Sequence, residues 1–319
     1  MDAREARGTL SHGEMKRLSQ RSDLMGAWSI LSTWGVIFGT FAVLAKWPHP
    51  ATFLVAVVVL GGRQLALAIL MHEAAHRTLF RRTFLNDHLT NWLCAFPLWN
   101  DVARYKKHHL RHHAHTGTAE DPDLSLAPEK PMTRRSLRRK LARDLLGPTG
   151  LKRVLGQALI ACGVLEYTVA NEPRRRPRDG RTALDYLTEG FRQSAGFIGS
   201  NAVLVAAVAA TGHAWVLSAW ITAYLTTFSA FLRIRSLAEH ACTERTADPL
   251  RNTRTTIAGP LARMTVAPFR VNYHLEHHLL VSVPWFRLPE AHALLRERGI
   301  IGKAPGYADV LRTVSAKTA

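Results

Sequence analysis

Ten of the sixteen histidines in this chain lie in three short segments. The first segment, residues 72–76, reads His-Glu-Ala-Ala-His, the second covers residues 108–115, and the third, residues 274–278, reads His-Leu-Glu-His-His. On a helix, residues three or four positions apart share one face, with Cβ atoms about 5–6 Å apart. Because imidazole is the commonest side-chain metal ligand, this spacing predicts a metal site that several helices build together.

The spacing within the segments indicates two metal ions rather than one. The first segment has the pattern HxxxH, and the second and third each contain the pattern HxxHH. The first also fits HExxH, the zinc-protease motif in which the glutamate acts as a base. A protease zinc uses about three protein ligands, however, and would leave most of these histidines unused. The eight histidines of the three patterns are His72, His76, His109, His112, His113, His274, His277 and His278.

Four long apolar stretches flank these segments and predict transmembrane helices. They cover residues 27–45, 51–71, 194–211 and 213–232, and Arg63 is the one charged residue within them. A helix of about 18–21 residues spans the roughly 30 Å hydrocarbon core of a bilayer. Buried helices of a soluble protein are the alternative, but these uncharged runs exceed the usual length of such helices.

The sequence therefore predicts an all-α integral membrane protein. We expect four transmembrane helices in two hairpins, with a cytoplasmic or interfacial helical cap that carries the histidine segments. Residues 1–26 are expected to form a polar cytoplasmic arm, residues 27–288 the membrane domain, and residues 289–319 a cytoplasmic tail. The moderately apolar residues 154–170 contain Glu166, so we expect them to lie in the interface rather than to cross.

The charge distribution predicts an orientation in the membrane. The chain has 42 Lys and Arg against 24 Asp and Glu, a formal net charge of +18. The basic residues lie before, between and after the two hairpins, so the positive-inside rule places both termini and all histidine segments in the cytoplasm. We expect a bacterial inner-membrane protein whose arginines contact anionic lipid, and no nucleic-acid partner. Cys94, Cys162 and Cys242 form no metal or disulfide motif.

On these motifs the chain resembles the membrane fatty acid desaturase superfamily, whose members carry histidine boxes around two iron ions. The order HxxxH, HxxHH, HxxHH is matched, with the hairpins between the boxes. Residues 109–123 (HLRHHAHTGTAEDPD) resemble the second box with its trailing Asp-Pro-Asp, and residues 272–278 (NYHLEHH) resemble the third. The resemblance covers nearly the whole chain, from the first apolar helix to the third box.

The resemblance implies two iron ions with O2 as co-substrate, and a ligand set of the eight box histidines plus one more. His240 occupies the place after the fourth helix where relatives carry that further ligand. His108 and His115 stay open as ligands, because His108 also lies four residues before His112. Asp121 is expected to tether its loop rather than to bind metal, as is Asp123. Three carboxylates could orient imidazoles or be solvated neighbours, namely Glu73, Glu239 and Glu276.

Introduction of a double bond into the acyl chain of a lipid is the expected reaction. Breaking an unactivated C–H bond needs an oxidant that side chains do not supply, so no catalytic residue beyond the ligands is predicted. The alternative is a hydroxylase or ketolase of a lipid, sphingolipid, carotenoid or alkane. A non-catalytic metal-binding membrane protein would place its ligands near mid-membrane, unlike these histidines. Without a fused cytochrome segment, electrons are expected from a separate ferredoxin, cytochrome or similar carrier.

Overall fold

The computed structural model describes residues 2–170 and 172–316, which are helical over most of their length. Two isolated β-bridges join Leu165 with Arg175 and Ile257 with Gly306, and the described ranges contain no strand. The predicted all-α fold is therefore confirmed. Met1, Asn171 and residues 317–319 belong to the predicted arm, membrane domain and tail, and they lie outside the described residues.

Fifteen α-helices are assigned among the described residues. The first seven are α1 (Ala3–Gly8), α2 (His12–Leu18), α3 (Asp23–Lys46), α4 (Pro50–Ala75), α5 (Val102–His115), α6 (Arg134–Leu145) and α7 (Pro148–Ala161). The remaining eight are α8 (Ala183–Ala209), α9 (Leu217–Leu225), α10 (Thr227–His240), α11 (Pro249–Asn252), α12 (Pro260–Met264), α13 (His274–Leu279), α14 (Leu288–Glu297) and α15 (Tyr307–Val314). Short π-helical turns cover Leu85–Leu89 and Asn91–Ala95, and 3-10 turns cover Phe96–Leu98, Leu124–Leu126, Ala214–Val216 and Pro268–Arg270.

Three segments of the described chain are long and apolar enough to cross a membrane. They are His12–Lys46, Pro50–Ala75 and Ala214–His240. The other expected span, residues 194–211, overlaps the second half of α8, which is 27 residues long and ends two residues earlier, at Ala209. Polar residues such as Arg192 and Asn201 make α8 less apolar than the three segments above. The fourth span and the pairing of spans into two hairpins therefore stay predictions.

Helix α4 lies at the centre of the fold, where it packs against α3, α5, α9 and α10. Gly61 permits its close approach to the junction of α9 and α10, since a Cβ atom there would lie 2.1 Å from the Thr227 Oγ1 atom. The Thr227 hydroxyl donates to the Val57 carbonyl at 2.7 Å, and the Gln64 amide donates to the Trp220 carbonyl at 2.9 Å. These contacts fix the depth and rotation of α4, which carries the first box at its end.

The apolar stretch 213–232 does not form one continuous helix. Thr226 leaves the helical conformation with φ −117° and ψ −88°, and separates α9 from α10. Arg153 of α7 compensates for this break, because its guanidinium donates to the Tyr224 carbonyl and to the Ser229 hydroxyl. Helix α10 can therefore tilt away from α9, and it continues beyond residue 232 to His240.

The expected polar arm and the expected tail pack against each other. Leu18 of α2 is fully buried in an apolar cluster that includes Leu295 of the expected tail and Leu279, at the end of α13. An ion pair between Arg17 and Glu290 at 2.8 Å links the same two regions. Further along the chain, α15 packs against α10. The terminal regions thus support α13, which carries the third box, and α10, which carries His240.

Candidate metal centre

The structure brings the nine histidines named from the sequence into two adjacent groups. Within each group, one ring nitrogen per residue lies within 4.8 Å of every other. The first group, site 1, consists of His72, His76, His109, His113 and His277. The second group, site 2, consists of His112, His240, His274 and His278.

Each HxxHH pattern contributes histidines to both sites. In α5, His109 and His113 belong to site 1, whereas His112 belongs to site 2. In α13 the assignment is reversed, because the first and last histidines belong to site 2 and His277 belongs to site 1. Successive helical residues point about 100° apart, since a turn contains about 3.6 residues. Two histidines adjacent in sequence can therefore point into two neighbouring sites. Helices α5 and α13 both contribute to the two sites in this way.

The distances between ring nitrogens match those of ligands around a common ion. The His113 Nε2 atom lies 3.0 Å from the His109 Nε2 atom and 3.1 Å from the His277 Nε2 atom. In site 2, the Nε2 atoms of His240 and His274 are 2.8 Å apart. At a metal–nitrogen distance of about 2.0–2.1 Å, ligands at right angles lie roughly 3.0 Å apart. The observed separations of 2.8–3.1 Å therefore fit one metal ion in each group.

The buried ring nitrogens provide a second test of the fit. Within the described residues, the Nε2 atoms of His72, His76 and His278 are buried and accept or donate no hydrogen bond. Buried polar atoms without a partner are costly, so these nitrogens need a ligand that the side chains do not provide. Burial also lowers the pKa of His76 to about 4 and holds that of His113 well below its ordinary value. These two imidazoles are therefore neutral, with lone pairs free to bind a cation.

Site 2 is oriented by contacts to the ring nitrogens that face away from its centre. The His112 Nδ1 atom lies 2.8 Å from the Asp121 Oδ1 atom, and the His240 Nδ1 atom lies 3.2 Å from the Asn252 carbonyl oxygen. The His278 Nδ1 atom lies 3.4 Å from the Thr116 hydroxyl. Such partners determine which nitrogen carries the proton and which faces the metal position.

The contact with Asp121 raises the pKa of His112, whereas the pKa of the neighbouring His113 is lowered. Burial opposes a charge on His112, but the hydrogen bond to Asp121 and the nearby carboxylates of Asp123 and Glu239 outweigh it and raise its pKa. For Asp121, burial likewise opposes the charge, but the hydrogen bond and the charge of His112, together with hydrogen bonds from the Asp123 and Gly117 amides, outweigh it and lower its pKa. The pair is therefore an imidazole held in place by an ionised carboxylate.

The three glutamates named from the sequence have different surroundings. Glu73 lies 3.5 Å from the His72 Nδ1 atom and accepts hydrogen bonds from the Thr78 hydroxyl and the Trp285 amide. Glu239 lies 3.4 Å from the Nδ1 atom of His274, and Arg235 donates to it at 2.7 Å.

The third glutamate faces away from both metal positions. Glu276 is fully buried, and it accepts hydrogen bonds from His292 and from the Thr255 hydroxyl. These contacts place it on the side of α13 opposite the box imidazoles. Of the three carboxylates, Glu73 and Glu239 thus lie beside box histidines in the described structure, and Glu276 supports α13 from behind.

Two histidines that the sequence left open lie outside the two groups. The His108 Nε2 atom contacts the Asp123 Oδ1 atom at 2.7 Å, so this ring is engaged elsewhere. His115, at the end of α5, belongs to neither site within the described residues. In α5, the face that points to the metal positions carries His109, His112 and His113.

Sequence reasoning missed the orienting role of Asp121 and did not name Asn252 or Thr116. Asp121 does tether its loop, since it also accepts from the Gly117 amide at 3.1 Å. Its second contact, to His112, spans nine residues and a turn of irregular chain. The Asp-Pro-Asp after the second box was the available signal for Asp121. Asn252 contacts His240 through its backbone carbonyl, which every residue has, so the residue type at this position does not predict the contact.

The described residues combine membrane-length apolar helices with two histidine groups, an arrangement typical of a membrane-associated, metal-binding protein. The family model described as fatty acid desaturase matches residues 45–305. Dihydrorhizobitoxine desaturase of Bradyrhizobium elkanii is 30% identical over 304 residues, which cover 92% of this chain and 81% of that protein. The chain therefore belongs to the fatty acid desaturase family, as the histidine boxes indicated. It is a desaturase-like oxidoreductase whose histidine clusters are consistent with iron.

Proposed function

We propose that this protein uses O2 and two iron ions, one in each site, to introduce a double bond into the acyl chain of a lipid. The single observation that carries the proposal is the division of nine imidazoles from α4, α5, α10 and α13 into two adjacent groups. Imidazole ligands suit iron, and nine are too many for one ion. The family and the desaturase relative support the formation of a double bond.

The chain's own residues prepare this chemistry in three ways. The nine imidazoles would hold the ions, and the groups around Asp121, Asn252 and Glu239 fix the rings of three of them. Burial of the box histidines keeps bulk water from the centre, which protects a reactive oxidant from side reactions. Bound iron supplies the activation of O2 needed to remove hydrogen from an unactivated carbon chain.

The proposal includes an arrangement in the membrane. We place four spans in residues 27–288. One of them lies in α8, which is long enough to cross the membrane although its polar residues make it less apolar than the other three. Both termini and the two sites lie on the cytoplasmic side, as the positive-inside rule indicates. A separate ferredoxin, cytochrome or similar carrier supplies electrons from that side, and a basic surface favours an acidic carrier.

The reaction is tested by expressing the protein in a host with a competent reductase and analysing total lipids by mass spectrometry. We expect a lipid that has lost two hydrogen atoms, and about two iron ions per purified chain. A product that has gained one oxygen atom would instead identify a hydroxylase. Dihydrorhizobitoxine, the substrate in the relative's name, is a second compound to test in the same assay. Zinc in place of iron, with no O2 consumption, would contradict the proposal.

Removal of single ligands tests the assignment of the sites. His277→Ala and His112→Ala each remove one imidazole, from site 1 and site 2 respectively. We expect product formation to be abolished and membrane insertion to be unchanged, as measured by lipid analysis and membrane fractionation. His115→Ala is the matched control, because this residue lies on the same helix but in neither site. Full activity of either ligand variant would show that the assignment is wrong.

A further inference from the structure

A partly open cavity of about 90 Å³ lies beside the segment that leads into α13. A single water molecule needs only about 10–15 Å³ of such space, so the cavity has room for a group of several heavy atoms. Its wall includes residues 255–258, Arg263 of α12, residues 272–273 and His292 of α14. Most of these side chains are polar, which favours a polar or charged ligand group.

Contacts of the wall place the cavity behind the third box. Thr255 and His292, which line the cavity, both bind Glu276 on the side of α13 opposite the box imidazoles. The side-chain amide of Asn272 donates to the Thr256 carbonyl at 2.8 Å, and the Thr256 backbone amide donates to the Asn272 carbonyl at 2.9 Å. These bonds fix the wall, and α13 therefore lies between the cavity and the box imidazoles.

Other donors of the wall are not engaged by the fold. Within the described residues, the guanidinium of Arg263 and the hydroxyls of Thr256 and Tyr273 make no hydrogen bond or ion pair. The planar guanidinium carries five N–H donors in a fork that matches the oxygens of a phosphate. A cation beside two hydroxyl groups therefore favours an anionic ligand that is rich in oxygen.

Helix α12, which carries Arg263, lies alongside α4 rather than beyond its end. The Arg63 guanidinium of α4 donates to the Met264 carbonyl at 2.7 Å. A Cβ atom on Gly62 would overlap the same carbonyl, so the two backbones are in contact. Gly62 precedes His72 by ten residues, which corresponds to about 15 Å along a helix. Helix α12 therefore packs against the middle of a helix that is long and apolar enough to cross a membrane.

The exposed side of the junction between α4 and α12 is apolar. Leu54 and Val58 of α4 are exposed, and they share the face of Gly62 because the three positions are spaced by four residues. Leu261 and Met264 of α12, which packs on that face, are exposed as well. Apolar side chains exposed on adjoining elements mark a contact surface, and here they continue the surface of a membrane-length helix. Acyl chains of the bilayer are therefore the expected neighbours of α12.

We propose that this cavity binds the phosphate of an anionic membrane lipid, with Arg263 as the recognising cation and the acyl chains against Leu261 and Met264. Arg263 belongs to the same five-residue helix as these two apolar residues. A long arginine side chain can lie along an apolar surface and place its charge in the headgroup region. The bound lipid is not the substrate, because α13 lies between the cavity and the box imidazoles. The site is therefore additional to the proposed function.

The test is native mass spectrometry of the full-length protein, delipidated in detergent and titrated with single lipids. The probes are dioleoyl phosphatidic acid, dioleoyl phosphatidylglycerol, dioleoyl phosphatidylcholine and inorganic phosphate. We expect at least one anionic lipid to bind about tenfold or more tightly than phosphatidylcholine, whose trimethylammonium group brings a second cation to Arg263. Inorganic phosphate should bind more weakly than that lipid, because it lacks the acyl chains that contact α12.

Variants of the cavity separate this site from the general attraction of a basic protein for anionic lipids. We expect Arg263→Gln to weaken binding of the anionic lipid about tenfold, and Arg263→Lys to weaken it less, because lysine keeps the charge without the planar donor pair. Arg296→Gln is the matched control, since it removes the same charge from an exposed residue of α14 that does not line the cavity. It should leave binding unchanged. Thr256→Val removes a wall hydroxyl at nearly constant volume, and should also weaken binding if the Arg263 variants do not fold.

Four results would overturn the inference. The first two are equal binding of phosphatidylcholine and the anionic lipids, and equal loss of binding in the Arg263→Gln and Arg296→Gln variants. The third is unchanged binding by folded Arg263→Gln and Thr256→Val variants. The fourth is binding of inorganic phosphate as tightly as the anionic lipids, which would identify a soluble anion as the ligand. Iron content is measured separately, since a chain without iron that binds lipid through Arg263 would contradict the proposed function alone.

Discussion

Asp121 contacts a histidine of site 2 without itself belonging to either histidine group. Its carboxylate holds the Nδ1 side of His112, which leaves the Nε2 atom to face site 2. It also accepts from the Gly117 and Asp123 amides, so the loop after α5 and the imidazole share one anchor. Loss of the negative charge should therefore loosen a ligand and retain the overall shape of the loop.

Asp121→Asn is expected to lower the affinity of the protein for iron by about 10–100-fold, the usual cost of losing such a partner. The amide keeps the size of the side chain but removes the charge that stabilises the His112 contact. Competition with a chelator of known affinity measures the change. Glu120→Gln is the control, because this exposed neighbour contacts Thr118 and belongs to neither histidine group. Equal iron affinity of the Asp121 variant and the wild type would exclude the orienting role.

Helix α4 determines where the first box lies relative to the second and third. Its contact with the α9–α10 junction depends on Gly61, because any side chain there would overlap the Thr227 hydroxyl. Interiors are packed at nearly crystalline density, so α4 cannot absorb an added methyl group without moving. Displacement of α4 would move His72 and His76 together, since both lie at the end of this helix.

Gly61→Ala is therefore expected to destabilise the protein by about 1–3 kcal/mol, the typical cost of overpacking. The melting temperature of the protein in detergent measures this loss. Gly35→Ala provides the matched control, because Gly35 also lies within a long apolar helix and a Cβ atom there would meet nothing within 4 Å. That substitution should be neutral or slightly stabilising, since alanine favours helix formation. A drop in both variants would point to a general effect of helix composition.

The two sites exist only when four helices that are distant in sequence meet. The nine histidines come from α4, α5, α10 and α13, and α13 is supported by the terminal regions. Because the assembled ligand sets require the folded chain, iron binding should stabilise the native state as a whole.

Removal of iron is expected to lower the melting temperature of the purified protein. A ligand at a hundredfold its dissociation constant contributes about 2.7 kcal/mol to stability, and two sites would each contribute. Re-addition of Fe(II) should restore the melting temperature, whereas Mg²⁺ should not, since it prefers oxygen ligands. The prediction is wrong if the iron-free and iron-loaded proteins melt at the same temperature.

The packing of the two terminal regions gives a further prediction. Leu18 is 0% exposed and contacts the cluster behind α13, so Leu18→Ala should cost about 2–5 kcal/mol. Leu24→Ala, at a position 78% exposed, should cost little. Thermal unfolding compares the two variants, and iron content shows whether α13 is displaced. Equal melting temperatures would show that the terminal regions do not support the site.

Much of the fold and of the metal-binding pattern could be read from local sequence. The lengths of the apolar runs depend on the thickness of a bilayer and the rise of a helix. The spacing of HxxHH depends on the helical period, which places imidazoles one turn apart on a shared face. Both properties act over a few residues, so residue order alone is enough to recognise them. His240 could be recognised only through the resemblance to a family, because an isolated histidine belongs to no spacing pattern.

Contacts between distant segments could not be read in this way. The chain order does not show that Asp121 meets His112, that Thr226 breaks the apolar stretch 213–232, or that Leu18 packs behind α13. The division of the histidines into five and four is also a property of the assembled helices. Side chains far apart in sequence become neighbours through the packing of whole helices. That packing must fill the interior closely and pair the buried polar groups over the entire chain at once, so no short segment determines it.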